Sequence, residues 1–173
     1  MNKYSIITVI AIIVIIIPIL YGLWSIYAVE QLQVRTPNSE FRYFEMSNDE
    51  KIQLCNPLPF FVSFNGLKIS TYYADELKGE FELGQTKIEP QISEVIEGNF
   101  YSENFSESQY FLLHMDWEFY DEGAIRLDPS KMLVITNFET KIIGIIPYQT
   151  TITQSGFEFI QMMNEDSKCG NSD

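Results

Sequence analysis

From Tyr4 through Val29 the chain carries no Asp, Glu, Lys, Arg or His, and after that run short apolar and polar stretches alternate to the end. A hydrocarbon core about 30 Å thick takes roughly 20 apolar residues at 1.5 Å rise, because every backbone N–H and C=O must be satisfied within the helix. The uncharged run is long enough to cross with some tilt. It predicts a cytoplasmic N-terminus at residues 1–3, a transmembrane signal-anchor helix at 4–29, an outward-facing domain at 30–162, and a polar, mobile tail at 163–173. Pro18 removes one helical hydrogen bond inside the run, which bilayer helices tolerate. Tyr4 at one end and Tyr21, Trp24 and Tyr27 at the other are placed for interfacial aromatic belts.

Beyond the anchor the dominant period is two, the signature of strands with one buried face. Gln31–Arg35 reads as a first strand or a stalk. Lys51-Ile52-Gln53-Leu54-Cys55 alternates, and Asn56-Pro57-Leu58-Pro59 stops it, since proline cannot donate to a sheet ladder and disfavours helix before it. Phe60 to Tyr73 is the richest β segment, full of aromatic and β-branched residues. Its Asn65-Gly66 break fits a type I′ hairpin or a bulge in one long strand, and the bulge is preferred. Leu77–Leu83, Thr86–Phe100 with Pro90 at an edge or bulge, Lys131–Thr136, Lys141–Ile146 and Tyr148–Thr153 supply further strands. Asp75-Glu76 reads as a turn, and Ala124-Ile125-Arg126-Leu127 precedes another at Asp128-Pro129-Ser130. Tyr110–Tyr120 fits both periods: Phe111, Leu113, Met115, Trp117 and Phe119 alternate, while Phe111, Met115 and Phe119 also share a helical face.

The layout resembles the late embryogenesis abundant type 2 family, also called the water-stress and hypersensitive-response domain. The shared features are Leu54-Cys55-Asn56-Pro57 ending a strand, the broken strand Phe60–Tyr73, Leu77-Lys78-Gly79, Ile88-Glu89-Pro90, and the late run Lys141-Ile142-Ile143-Gly144-Ile145-Ile146-Pro147. The likeness covers roughly residues 31–161. It implies a small β-sandwich with one helix at an end, often behind a membrane anchor in archaeal and plant members, and no catalytic residues. With it, Tyr110–Tyr120 is assigned to the helix. The fold class expected is mainly β: a single N-terminal transmembrane helix, then an antiparallel β-sandwich with one short helix.

Charge narrows the partners. All 24 acidic residues, and every basic one but Lys3, follow the anchor. Such an acidic domain repels nucleic acid and anionic lipid surfaces. Lys3 before the run and Glu30 after it favour an N-in, C-out orientation. A cleaved signal peptide would have a shorter apolar region and small residues before the cut, whereas here Ile26 precedes Ala28, so an uncleaved anchor is preferred. The run holds no ionisable residue, which argues against a channel or transporter path through a monomer. Cys55 and Cys169 both fall on the outer side, where a bridge between them and two free thiols are both open. Asn104-Phe105-Ser106 is a glycosylation sequon, meaningful for an exported domain.

Candidate chemistry is sparse. His114 is the single histidine and lies in no nucleophile-elbow sequence. Asp75-Glu76 and Asp121-Glu122 lack the glycine and terminal Glu of an EF-hand loop. No spacing supports a metal site or other cofactor among His114, Met115, Asp116, Met162, Met163 and Cys169. The aromatic residues Phe60, Phe61, Phe64, Tyr72, Tyr73 and Trp117 are the best partner anchors, with about half of them expected in the core. The expected function is a non-catalytic, membrane-anchored extracytoplasmic module that binds or supports envelope components, its partners being membrane lipid through residues 4–29 and other envelope or membrane-complex proteins. The alternative is an accessory subunit of a membrane enzyme complex, with the helix packed on other subunits and the domain covering the outer face.

Overall fold

The computed structural model describes residues 3–120, 127–142, 145–166 and 169–171. The uncharged run forms one helix, α1 (Lys3–Glu30), with Pro18 inside it. Its length and composition suffice to cross a membrane, and nearly all of that stretch is uncovered by the rest of the chain. Without a polar face the helix has no side to turn to water; of its described residues only Gly22, Ala28 and Val29 are buried.

The chain then builds β1 (Gln33–Arg35), α2 (Tyr43–Asp49), β2 (Lys51–Cys55), β3 (Val62–Phe64), β4 (Gly66–Tyr73) and β5 (Glu76–Leu83). Next come β6 (Thr86–Ile88), β7 (Ile92–Glu97), β8 (Asn99–Tyr101), α3 (Phe105–Phe119), a short 3-10 turn, β9 (Met132–Ile142), β10 (Ile146–Ser155), α4 (Gly156–Asn164) and β11 (Gly170–Asn171). One sheet has the order β1-β2-β7-β11, a second has β10-β9-β4-β5-β8, and β3 pairs with β6. Every pairing is antiparallel except β11 on β7. Side chains from both larger sheets, among them Ile52, Leu54, Leu67, Ile69, Phe81 and Val134, join the end of α1 in one hydrophobic cluster. β9 shows how: Met132, Val134, Thr136, Phe138 and Thr140 are buried while the residues between them face out or sit half-covered.

Several expectations change. Tyr110–Tyr120 is helical, as α3, with Asn104 capping it through the Glu107 N–H; two more helices accompany it rather than one short helix alone. The signal for α4 is present in Ser155-Gly156-Phe157-Glu158, a capping box in which each partner bonds the other's backbone. α2 spans seven residues and has no side-chain N-cap of its own, so its sequence carries little helical signature. Asn65-Gly66 is neither hairpin nor bulge. β3 and β4 do not pair with each other; the chain bends at Asn65 and changes partner from β6 to β9 and β5. The register shift in β4 falls later, between Thr71 and Tyr72. The β4–β5 turn is Ala74-Asp75, both at positive φ (49° and 68°), one residue earlier than read. Thr86–Phe100 divides into three strands, because Pro90 and Gln91, the latter at φ 57°, part β6 from β7, and Gly98 parts β7 from β8. Residues 121–126, with Asp121-Glu122 and most of the Ala124–Leu127 stretch, lie outside the described residues, as do 143–144 in the late strand run, 167–168, 172–173 and Met1-Asn2.

The tail from Met163 is also integrated. Met163 is buried and its carbonyl accepts the Thr36 N–H, Asn164 accepts the Phe41 N–H, and Glu165 pairs with Arg35 at 3.3 Å. Cys169 is disulfide-bonded to Cys55, which brings β11 to the edge of β7.

Asp116 of α3 secures α2. Its two carboxylate oxygens accept the Tyr43 and Phe44 backbone N–H groups, each at 2.9 Å, at the uncapped start of that helix. Burial pushes its carboxyl up to about 7, against the pull of those two donors and of Arg42. A carboxyl with a higher pKa folded than unfolded favours the folded state below its ordinary pKa near 4, and loses that contribution as pH rises towards 7. Urea unfolding of the full chain in detergent should therefore show stability falling by about 2 kcal/mol from pH 5 to pH 7. Asp116→Asn should flatten that difference while costing about 1 kcal/mol at pH 5 through the lost acceptor.

Candidate functional site

The loop after β2 begins Asn56-Pro57-Leu58-Pro59, and its two prolines have no N–H with which to fix it. Asn56, fully buried, supplies the missing bonds. Its Nδ2 donates to the carbonyls of Phe60 (2.8 Å), Glu89 (3.0 Å) and Ile88 (3.3 Å), and its Oδ1 accepts the Leu58 N–H at 3.0 Å. The Asn56 backbone N–H reaches the Ile92 carbonyl at 3.0 Å, tying the loop to β7. Every polar group of that side chain is used without burying a charge.

The loop so fixed presents Phe60 and Phe61 to α1. The Phe60 ring lies 4.7 Å from that of Trp24, and Phe61 is 50% exposed with the Lys87 ammonium 4.6 Å above its face. Between them runs an apolar groove of about 280 Å³, with Tyr21, Trp24, Ser25 and Ala28 on the helix side and Phe60 to Ser63 on the other. An aromatic surface is thus continuous across the junction of helix and domain.

The other predicted anchors lie elsewhere. Phe64 is in the core, edge-on to Phe138. Tyr72 and Tyr73 are half-buried at the far end of β4, roughly 25 Å away at 3.3 Å per residue. There Tyr73 packs on Phe111 at 5.1 Å and its hydroxyl accepts the Asp128 N–H. Trp117 is half-buried on α3 against His114. Of the six, only Phe60 and Phe61 share a surface, and their partners there, Tyr21 and Trp24, belong to the interfacial belt read in the sequence.

The polar candidates offer little chemistry. His114 is buried, with Nδ1 2.7 Å from the Tyr110 carbonyl of its own helix. Asn104, the sequon residue, is exposed at the start of α3, its Nδ2 3.2 Å from Glu107 Oε2. A cleft of about 410 Å³ between β5 and α3 is lined by Glu76, Lys78, Glu103, Asn104, Glu107 and Phe111, among others. Lys78 there pairs with Glu76 at 2.8 Å. Among the described residues no three His, Cys, Asp or Glu side chains are grouped to hold a metal. Compared with known proteins, the chain matches no family model and no curated sequence.

Asn56→Ala removes four hydrogen bonds at a buried site and strands carbonyls of Phe60 and Glu89. It should cost about 3 kcal/mol in urea unfolding and red-shift Trp24 emission in the folded protein as Phe60 is released. Asn56→Asp, which keeps the acceptor and loses the donors, should be at least as damaging.

Proposed function

We propose that the chain is a single-pass membrane protein with its N-terminus in the cytoplasm and a non-catalytic β-sandwich outside, serving as a binding or structural module of the cell envelope. The observation that carries this reading is the change of environment along α1. Most of its described side chains from Ile7 to Tyr27 are exposed and nearly all of those are large and apolar, with Pro18, Gly22, Ser25 and Ile26 covered or half-covered, and then Ala28 and Val29 enter the domain core. Exposure of that many isoleucines in water is untenable for a monomer, whereas in lipid it is the ground state.

Two further features support the orientation. A disulfide joining Cys55 and Cys169 persists in oxidising compartments outside the cytoplasm. The acidic surface, with every Asp and Glu at or beyond Glu30, the last residue of α1, suits solvent rather than the anionic inner leaflet. The likeness to the late embryogenesis abundant type 2 domain draws support from the antiparallel sheets and from the Asn56-Pro57 turn that Asn56 organises. Against an enzyme stand a histidine bound within its own helix and the lack of a nucleophile–base pair in either groove described.

The test uses the full chain with a C-terminal tag in intact cells. The tag should resist carbonate extraction, be removed by protease added outside, and travel on a chain whose intact mass rises by two hydrogens on reduction. A protected tag would reverse the orientation, and extraction by carbonate would reject the anchor. Native gels of mild-detergent extracts then decide the role: a small free species fits the module, and co-migration with a large complex moves the assignment to an accessory subunit.

A further inference from the structure

We propose that the β9–β10 hairpin is a second membrane attachment, with Ile145 and Ile146 lodged among the upper acyl chains beside α1; this rests on α1 spanning the bilayer. Around the outer half of α1 the covered positions are Pro18, Gly22, Ser25, Ile26 and Val29, with Ala28 beside them, whereas Ile19, Leu20, Leu23 and Tyr27 are exposed. Spacings of four, three, one and three place the covered residues on a single face. The strands packed on α1 are β9 and β3.

The β3 side is accounted for, since the Phe60–Ser63 segment lies along Tyr21, Trp24, Ser25 and Ala28. At 100° per residue the stripe of Pro18, Gly22, Ile26 and Val29 is the next one round the helix. That stripe is left to β9. The portion of β9 concerned is its end: β3 leads directly into Gly66, which opposes Glu139, so the part of β9 alongside β3 runs from Phe138 towards Ile142.

Depth follows from the rise of the helix. Ile7 to Tyr27 covers about 30 Å, the full hydrocarbon thickness, and Gly22 lies about 7 Å inside the Tyr27 level. Whatever covers the Gly22 backbone is therefore below the membrane surface. The end of the hairpin has the composition for this. Ile145 is the most exposed large apolar side chain described, at 78%, and Ile146 follows at 56%. No Asp or Glu occurs from Lys141 to Phe157 in a chain that has 24 of them. The turn is closed by the Ile145 N–H on the Ile142 carbonyl at 3.2 Å, and β9 and β10 satisfy each other's inner backbone groups. The outer edge of β10, and that of β9 beyond Glu139, pairs with no described strand, which limits the hairpin to the interfacial zone that water still reaches. Exposed Lys141 stands at the rim, in position for lipid phosphates.

The experiment places an environment-sensitive fluorophore on single cysteines of the full chain in phosphatidylcholine nanodiscs, with and without a lipid spin quencher near the acyl carbonyls; the native cysteines are paired and do not react. Ile145→Cys should be quenched several-fold more by lipid than Thr151→Cys, farther along β10, and several-fold less by aqueous iodide. Val14→Cys, mid-way along α1, reports on the anchor through a second lipid quencher placed deep in the acyl chain. Lipid quenching at position 14 with equal behaviour at 145 and 151 would overturn the hairpin attachment alone. No quenching at position 14 would reject the spanning helix and the attachment with it.

Discussion

The last turn of α1 joins a long exposed apolar surface to the domain core, and the rest of the architecture hangs from that constraint. Ala28, Val29 and Leu32 are core residues of the domain, while Trp24 and Tyr27, within one turn of them, are exposed. No stalk intervenes: β1 starts at Gln33 and pairs at once with β2, Val34 opposite Leu54. Height and rotation of the domain relative to the helix are thereby fixed by packing rather than by linker length. A helix followed by a flexible stalk would leave the domain free to tilt. This one presents the same edge of the β-structure, the Phe60–Ser63 loop and the end of β9, to the helix at all times.

Irregular segments are held by polar side chains of two kinds. Asn56 is neutral, satisfies three carbonyls and one N–H, and carries no dependence on pH. Asp116 does the corresponding task at the start of α2 as a carboxylate buried in the core, where desolvation of its charge opposes the gain from two donors. The chemistry follows the geometry in each case. Around Asn56 carbonyls predominate and call for donors, which only an amide brings together with an acceptor; at a helix start only N–H groups need partners, and a carboxylate accepts both while favouring the positive end of the peptide dipoles.

These polar staples also mark where sequence reasoning stops. Period-two alternation in Lys51–Cys55 and Leu77–Leu83 reports a buried face directly, so those strands were legible, whereas Lys131–Thr136 and Lys141–Ile146, read as two strands joined at Asn137–Thr140, are largely one strand, Met132–Ile142, whose joining residues pair with β10. α2 was not legible, since its stability comes from Asp116, far away in the chain, and not from its own residues. Ser155 and Glu158 did carry a local signal for α4, obscured by the threonine-rich strand before it. The partner change at Asn65-Gly66 is tertiary, because a single strand-like run looks the same whichever strands flank it. The candidate surface was legible only in halves. Trp24 was readable as an interfacial residue and Phe60 as a strand aromatic, but their contact depends on Asn56 folding the proline loop back onto α1.

The outermost strand of the larger sheet shows what anchoring does for such a surface. β10 is an edge of ten residues, Ile146–Ser155, without a single charge and rich in threonine. A long uncharged edge invites pairing with another chain, and soluble proteins guard against it with lysines or bulges. Here the strand starts at the hairpin end proposed to lie beside α1 and runs back alongside β9 to α4. Two copies pairing β10 with β10 about a two-fold axis would need antiparallel strands, and so would put their α1 helices at opposite ends of the joined sheet. With both helices in one bilayer, as proposed, that arrangement cannot form. Membrane attachment then protects the edge by orientation rather than by charge, and leaves it open to an extended segment of another protein arriving from the outer side.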